Sequence, residues 1–122
     1  MALEMKKRGI PVIAITSLQH SGSVASSHAS GKKLMDVADV VLDNGAPYGD
    51  AGTRIATLRT GMGAVSTVTG AAIVNSVFIL AAEKMLAEGA EPVVLPSGNV
   101  EAADFARIQA AMGKYLGRIK YL

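Results

Sequence analysis

Only two side chains in this sequence ordinarily change charge near neutral pH, His20 and His28, and both fall in one serine-rich stretch, Leu18 to Gly31. His28 opens the run His28-Ala29-Ser30-Gly31-Lys32. An imidazole there can carry a proton, and the following ammonium can hold a phosphate as a point charge. The same residues also suit a plain solvated loop. His20 has no partner that the sequence identifies.

Hydroxyls make up the second group. Thr16 and Ser17 close the apolar run Gly9-Ile10-Pro11-Val12-Ile13-Ala14-Ile15. At the carboxyl end of a parallel strand, such hydroxyls and free N–H groups can bind a phosphate or a sugar, or simply cap a turn. Ser66-Thr67-Val68-Thr69-Gly70 opens the longest helical pattern. Hydroxyls at a helix N-terminus suit an anion as well as ordinary capping. Asp43-Asn44-Gly45 and Tyr48-Gly49-Asp50 offer carboxylates for a base or for sugar hydroxyls, and equally for Asx turns.

Several chemistries are excluded. The chain has no cysteine, so it has neither disulfides nor thiolate metal sites. Histidines without a suitably spaced carboxylate form no zinc motif. Neither the Gly-Lys-Ser/Thr phosphate loop nor the dinucleotide glycine fingerprint occurs. No metal and no cofactor is therefore expected.

The elements that must position these groups follow from periodicity. Ala2 to Arg8 reads as the end of an amphipathic helix stopped by Gly9. Gly9 to Ser17 reads as a strand buried on both faces, of the parallel kind. A long loop follows, then a short helix over Lys32–Val37 capped by Ser30. Ala38–Asp43 is a second buried strand that ends in turn residues. Arg54–Thr60 reads as a half-exposed edge strand, and Gly61–Ala64 as a loop. The long helix begins near Ser66 or Thr67 and ends at Gly89. Its apolar residues exceed a single stripe, which fits burial between a sheet and a partner subunit. Pro92–Leu95 is a short extended piece, Pro96–Asn99 a turn and Glu101–Leu116 a last helix. The whole is one α/β domain over residues 1–122.

Composition sets the remaining bounds. Half of the residues are hydrophobic but only 4% are aromatic, so the core rests on aliphatic side chains. A net charge of +2 without a basic block argues against nucleic acid. The apolar run from Val65 to Leu86 is interrupted by Thr67, Thr69, Asn75, Ser76, Glu83 and Lys84, which argues against a membrane span. With no signal-peptide pattern at the N-terminus, a soluble cytoplasmic protein is expected.

Four stretches together resemble the SIS (sugar isomerase) domain, in the branch related to sedoheptulose 7-phosphate isomerase. They are Val12–Ser17, His28–Leu34, Ala38–Ala51 and Ser66–Ala72, in this order and spacing. The resemblance implies a three-layer α/β/α sandwich with a flavodoxin-like parallel sheet. It implies an oligomer that binds a phosphorylated sugar, and an aldose–ketose isomerase when the domain is complete. Thr16, Ser17, Lys32, Ser66 and Thr67 would bind the substrate, and His28 would be the proton carrier. Met1 aligns beyond the family's Ser-x-Ser-Gly phosphate cradle. The chain thus resembles the C-terminal part of such a domain, with its N-terminal strands missing and the Ile10–Ser17 strand at a raw edge that a second copy would cover. The alternative is a non-catalytic module for phosphosugar sensing or assembly.

Overall fold

The computed structural model describes residues 1–95, 97, 103–113 and 115. They form an α/β protein that divides into two compact units, residues 1–78 and 79–122.

The first unit begins with α1 (Ala2–Lys7). Gly9 stops it with φ at +69°. Its N–H donates to the Lys6 carbonyl, and the Ile10 N–H reaches back to Met5, each at 3.0 Å. This paired closure is a Schellman motif, and it needs a left-handed residue, which glycine supplies without steric cost. β1 (Ile13–Thr16) follows and pairs in parallel with β2 (Val40–Asp43), Ile13 opposite Val40 and Thr16 opposite Asp43. Asp39 locks the start of this pair. It forms an ion pair with Lys6, and its carboxylate accepts the Val12 N–H at 2.8 Å.

The connection from β1 to β2 is more ordered than its composition suggests. Ser17 caps a helix, α2 (Leu18–Ser23), by accepting the His20 N–H at 2.9 Å. A single helical turn, α3 (Leu34–Val37), precedes β2. It starts later than the expected Lys32, and Ser30 is not its cap. Lys33 holds that place, and its N–H donates to Asp36 Oδ2 at 2.7 Å. Ser30 is instead engaged with His28.

A 3-10 turn, Tyr48–Asp50, leads into β3 (Ala51–Thr53), which pairs antiparallel with β4 (Met62–Ala64). The expected strand at Arg54–Thr60 is the connection of this hairpin, and the expected loop at Gly61–Ala64 contains its second strand. The hairpin is tight at Gly61, where an added Cβ would lie 2.7 Å from the Ala51 Cβ.

The core of this unit is small. Ala14 and Ala46 are its fully buried apolar residues, while Ile13 on β1 is 58% exposed. The expected burial of β1 on both faces does not hold in this chain. A parallel pair is normally covered on both faces by helices. Here α1 and α3 are too short to cover Ile13 and Val40, which stay open.

The longest element, α4 (Val65–Ala87), starts in the first unit and ends in the second. None of its residues is buried. Gly89 and Ala90 close it by the same Schellman pattern seen at α1, bonding to Leu86 and Met85. By length and composition α4 could cross a membrane, with a mean hydropathy of 1.8 over its most apolar window. In the second unit, residues 91–95 form no strand, α5 spans Ala103–Gly113, and Arg107 pairs with Glu91. The expected turn at Pro96–Asn99, apart from Ser97, and both ends of the helix expected over Glu101–Leu116 lie outside the described residues.

Candidate functional site

The carboxyl ends of β1 and β2 are clasped together residue by residue. The Asn44 N–H donates to the Thr16 carbonyl at 3.1 Å. Asp43 Oδ1 accepts the N–H groups of Gly45 at 3.0 Å and Leu18 at 3.1 Å, which holds its carboxyl below the usual carboxylate range. Ser17, only 8% exposed, donates its hydroxyl to the Ala46 carbonyl at 2.5 Å while it caps α2. The Asn44 side chain accepts the Ala46 N–H at 3.0 Å. Thr16 shares a hydrogen bond of 3.0 Å with the Ser21 hydroxyl.

From this clasp a chain of polar contacts runs outward. His20 sits on the first turn of α2, and its Nδ1 accepts the Gly49 N–H at 3.1 Å. That bond requires a bare Nδ1, so the neutral ring carries its proton on Nε2. The ring lies 5.5 Å from Tyr48, centroid to centroid, tilted by 40°. Gly49 has a φ of +78°, and Asp50 follows at +58°, the one non-glycine residue in the left-handed region among those described.

Asp50 ends the chain of contacts at α4. Its Oδ2 accepts the Ser66 hydroxyl at 2.5 Å, and its Oδ1 accepts the Ser66 N–H at 2.7 Å. The Ser66 hydroxyl, then the Ser66 amide, hold the Asp50 carboxyl below its ordinary range, with a smaller contribution from His20. An internal carboxylate therefore occupies the positive end of this helix. Ser66 is a first-turn residue bound by Asp50, and it does not cap the helix itself. Thr67 is exposed beside it.

The expected site residues thus separate into two places. Thr16, Ser17 and Ser66 lie on one hydrogen-bonded rim, linked through His20, Gly49 and Asp50. His28 belongs to a self-contained exposed turn. Its Nδ1 bonds the Ser30 hydroxyl at 2.8 Å and accepts the Ser30 N–H at 3.1 Å. The Ser26 hydroxyl donates to the Lys32 carbonyl at 2.9 Å in that same turn. The Lys32 side chain is exposed, with no ion pair among the described residues. Beside the turn, the Lys33 ammonium reaches the Ser21 carbonyl of α2 at 2.5 Å. No hydrogen bond joins His28 to the rim among the described residues.

The sequence offered Asp50 as a carboxylate for a base, sugar hydroxyls or an Asx turn and gave His20 no partner, and it showed neither as a link in the rim. One signal pointed toward them. His20 stands three positions after the hydroxyl that caps α2, so the helix start fixes its direction. Its partner is a backbone N–H, which no residue type advertises.

No family profile matches the sequence. The chain is similar to bacterial proteins designated UPF0309. Against the one from Listeria innocua it is 48% identical over 117 residues, covering 96% of this chain and 47% of that protein. Against that of Halalkalibacterium halodurans it is 46% identical over 104 residues, covering 85% of this chain and 43% of the relative. The protein of Thermoanaerobacter pseudethanolicus is 38% identical over 123 residues, covering 99% of this chain and 49% of the relative. The chain spans about half the length of the curated relatives it matches.

Proposed function

We propose that the rim at the carboxyl ends of β1 and β2 is a sugar-phosphate site of the SIS kind, in a protein derived from an aldose–ketose isomerase. The observation that supports this reading most is the continuity of the rim. Thr16, Ser17, His20, Asp50 and Ser66 come from four separate elements, yet hydrogen bonds that run through Ser21 and Gly49 link them beyond the ends of two parallel strands. Open parallel sheets take their ligands at that edge.

In this reading Thr16 and Ser66 face the phosphate or the sugar hydroxyls, and Thr67 adds a hydroxyl from the first turn of α4. Ser17 organises the rim more than it binds, because its hydroxyl already donates and accepts. His28 and Lys32 reach the ligand only if their turn folds over the rim. The surrounding fold is the three-layer sandwich of the SIS domain, the working form is a cytoplasmic homo-oligomer, and no nucleic acid, metal or cofactor takes part. A non-catalytic sensor would use the same rim without the proton transfer.

A thermal-shift panel of sugar phosphates tests the binding step that both versions share. A ligand at about 100 times its dissociation constant stabilises a protein by about 2.7 kcal/mol. The expected result is a raised Tm with one phosphosugar and none with the dephosphorylated sugar. Identical melting across the panel overturns the reading.

A further inference from the structure

We infer that α4 and the open flank of the β1–β2 pair are the seat of a second polypeptide segment, equivalent to the half of the UPF0309 proteins that this chain does not match. This inference is independent of the sugar-phosphate reading.

Three observations carry it. The first is the state of α4. Val68 is 72% exposed and Phe78 69%, and Ile79, Leu80 and Leu86 are similarly bare. At about 100° per residue Val68, Phe78, Ile79 and Leu86 fall on one side, Leu80 lies apart from them, and Val74 and Val77, also exposed, face the opposite side, so no single apolar stripe accounts for them. A helix that is apolar all round is normally enclosed. The second is the parallel pair. Among the described residues β1 and β2 have no further strand beside them, and Ile10, Ile13 and Val40 are exposed on and next to them. Parallel strands rarely stand alone or uncovered. The third is length. The match takes in 96% of this chain but 47% of the Listeria innocua protein, so that protein carries about as much polypeptide again. The surfaces left bare here are of the kind that such a remainder would cover: strands added to an open edge, and a layer laid over α4.

A bilayer is the competing enclosure for α4. The uncharged run from Val65 to Ala82 rises about 27 Å as a helix, slightly short of a hydrocarbon core of about 30 Å. Glu83 and Lys84 follow at once. A bilayer also leaves the flank of the parallel pair uncovered, whereas a protein segment covers both.

The test mixes this chain with a polypeptide comprising the unmatched half of the Listeria innocua protein. Sedimentation gives the stoichiometry, and hydrogen exchange is followed along α4 and residues 10–16. The expected result is a one-to-one complex in which exchange slows by roughly tenfold or more in both segments. A double variant, Phe78→Asp with Leu80→Asp, should abolish the complex. Both side chains are exposed in the chain alone, so its far-ultraviolet circular dichroism should not change. Absence of a complex overturns the inference. So does self-association that mixing leaves unaltered, or protection of α4 only in phosphatidylcholine–phosphatidylglycerol vesicles. Undiminished binding by the double variant overturns it as well.

Discussion

Asp50 grips Ser66 at two points, taking its amide on one carboxylate oxygen at 2.7 Å and its hydroxyl on the other at 2.5 Å. The start of α4 thus already holds a negative charge belonging to the protein. Any phosphate that approaches this helix end competes with Asp50. Replacing Asp50 with Asn should leave the fold intact and tighten inorganic phosphate or phosphosugar binding severalfold, read by isothermal titration. Weaker binding by the Asn variant would mean that Asp50 helps the ligand and does not compete with it.

The same pair sets a pH dependence, together with Asp39 and Asp43. The Ser66 hydroxyl and amide lower the Asp50 carboxyl, the Lys6 ammonium and Val12 amide lower Asp39, and the Gly45 and Leu18 amides lower Asp43. Each carboxyl therefore binds its proton more weakly when folded than when unfolded. The stabilisation is complete above the ordinary carboxylate range and is lost as pH falls through the lowered folded values. Urea midpoints should fall progressively on acidification below that range, and Asp39→Asn should flatten the fall. An unchanged acid profile in Asp39→Asn would remove Asp39 from the account.

Ser17 serves the fold before any ligand. Its hydroxyl donates to the Ala46 carbonyl and accepts the His20 N–H in a site only 8% exposed. Ser17→Ala removes a helix cap and strands a buried carbonyl, at a cost of about 1–3 kcal/mol. Equilibrium unfolding checks this, and a loss within error of zero would refute the role.

The neutral His20 ring should be the Nε2–H tautomer, because Gly49 donates to Nδ1. Nitrogen-15 NMR of the imidazole distinguishes the two forms directly. The opposite tautomer would contradict the rim as described.

Gly61→Ala should destabilise the β3–β4 hairpin by about 1–3 kcal/mol, since the added methyl meets the Ala51 Cβ and the hairpin must open. Gly63→Ala is the comparison. Its Cβ enters open space, and the cost there comes from a φ of +81° alone.

Local chemistry made α1, β1, β2 and α4 legible, because each carries a strong period or a glycine stop. The Schellman closures at Gly9 and Gly89 follow from residue type. Two things escaped. α2 was hidden because Gln19, His20, Ser21 and Gly22 have no apolar period, and it forms because Ser17 caps it and its first turn is pinned to Asp43 and Gly49. The β3–β4 hairpin was hidden because its strands are three residues each. Of the rim, the hydroxyls at Thr16, Ser17 and Ser66 were visible as residue types. The links supplied by His20 and Asp50 were not, since they join positions distant in sequence through backbone N–H groups.

The polar side chains within α4 turn inward onto their own helix. Thr69 donates to the Val65 carbonyl, Asn75 to Ala71 and Ser76 to Ala72. From Val68 to Ala82 the second amide hydrogen of Asn75 is therefore the only side-chain proton still free for a neighbour. A surface lined with unpaired carbonyls or carboxylates would find that single proton and no other along this stretch. Selectivity must come instead from contour, with bulky rings and branched chains seating against the notches at Gly70, Ala71 and Ala81.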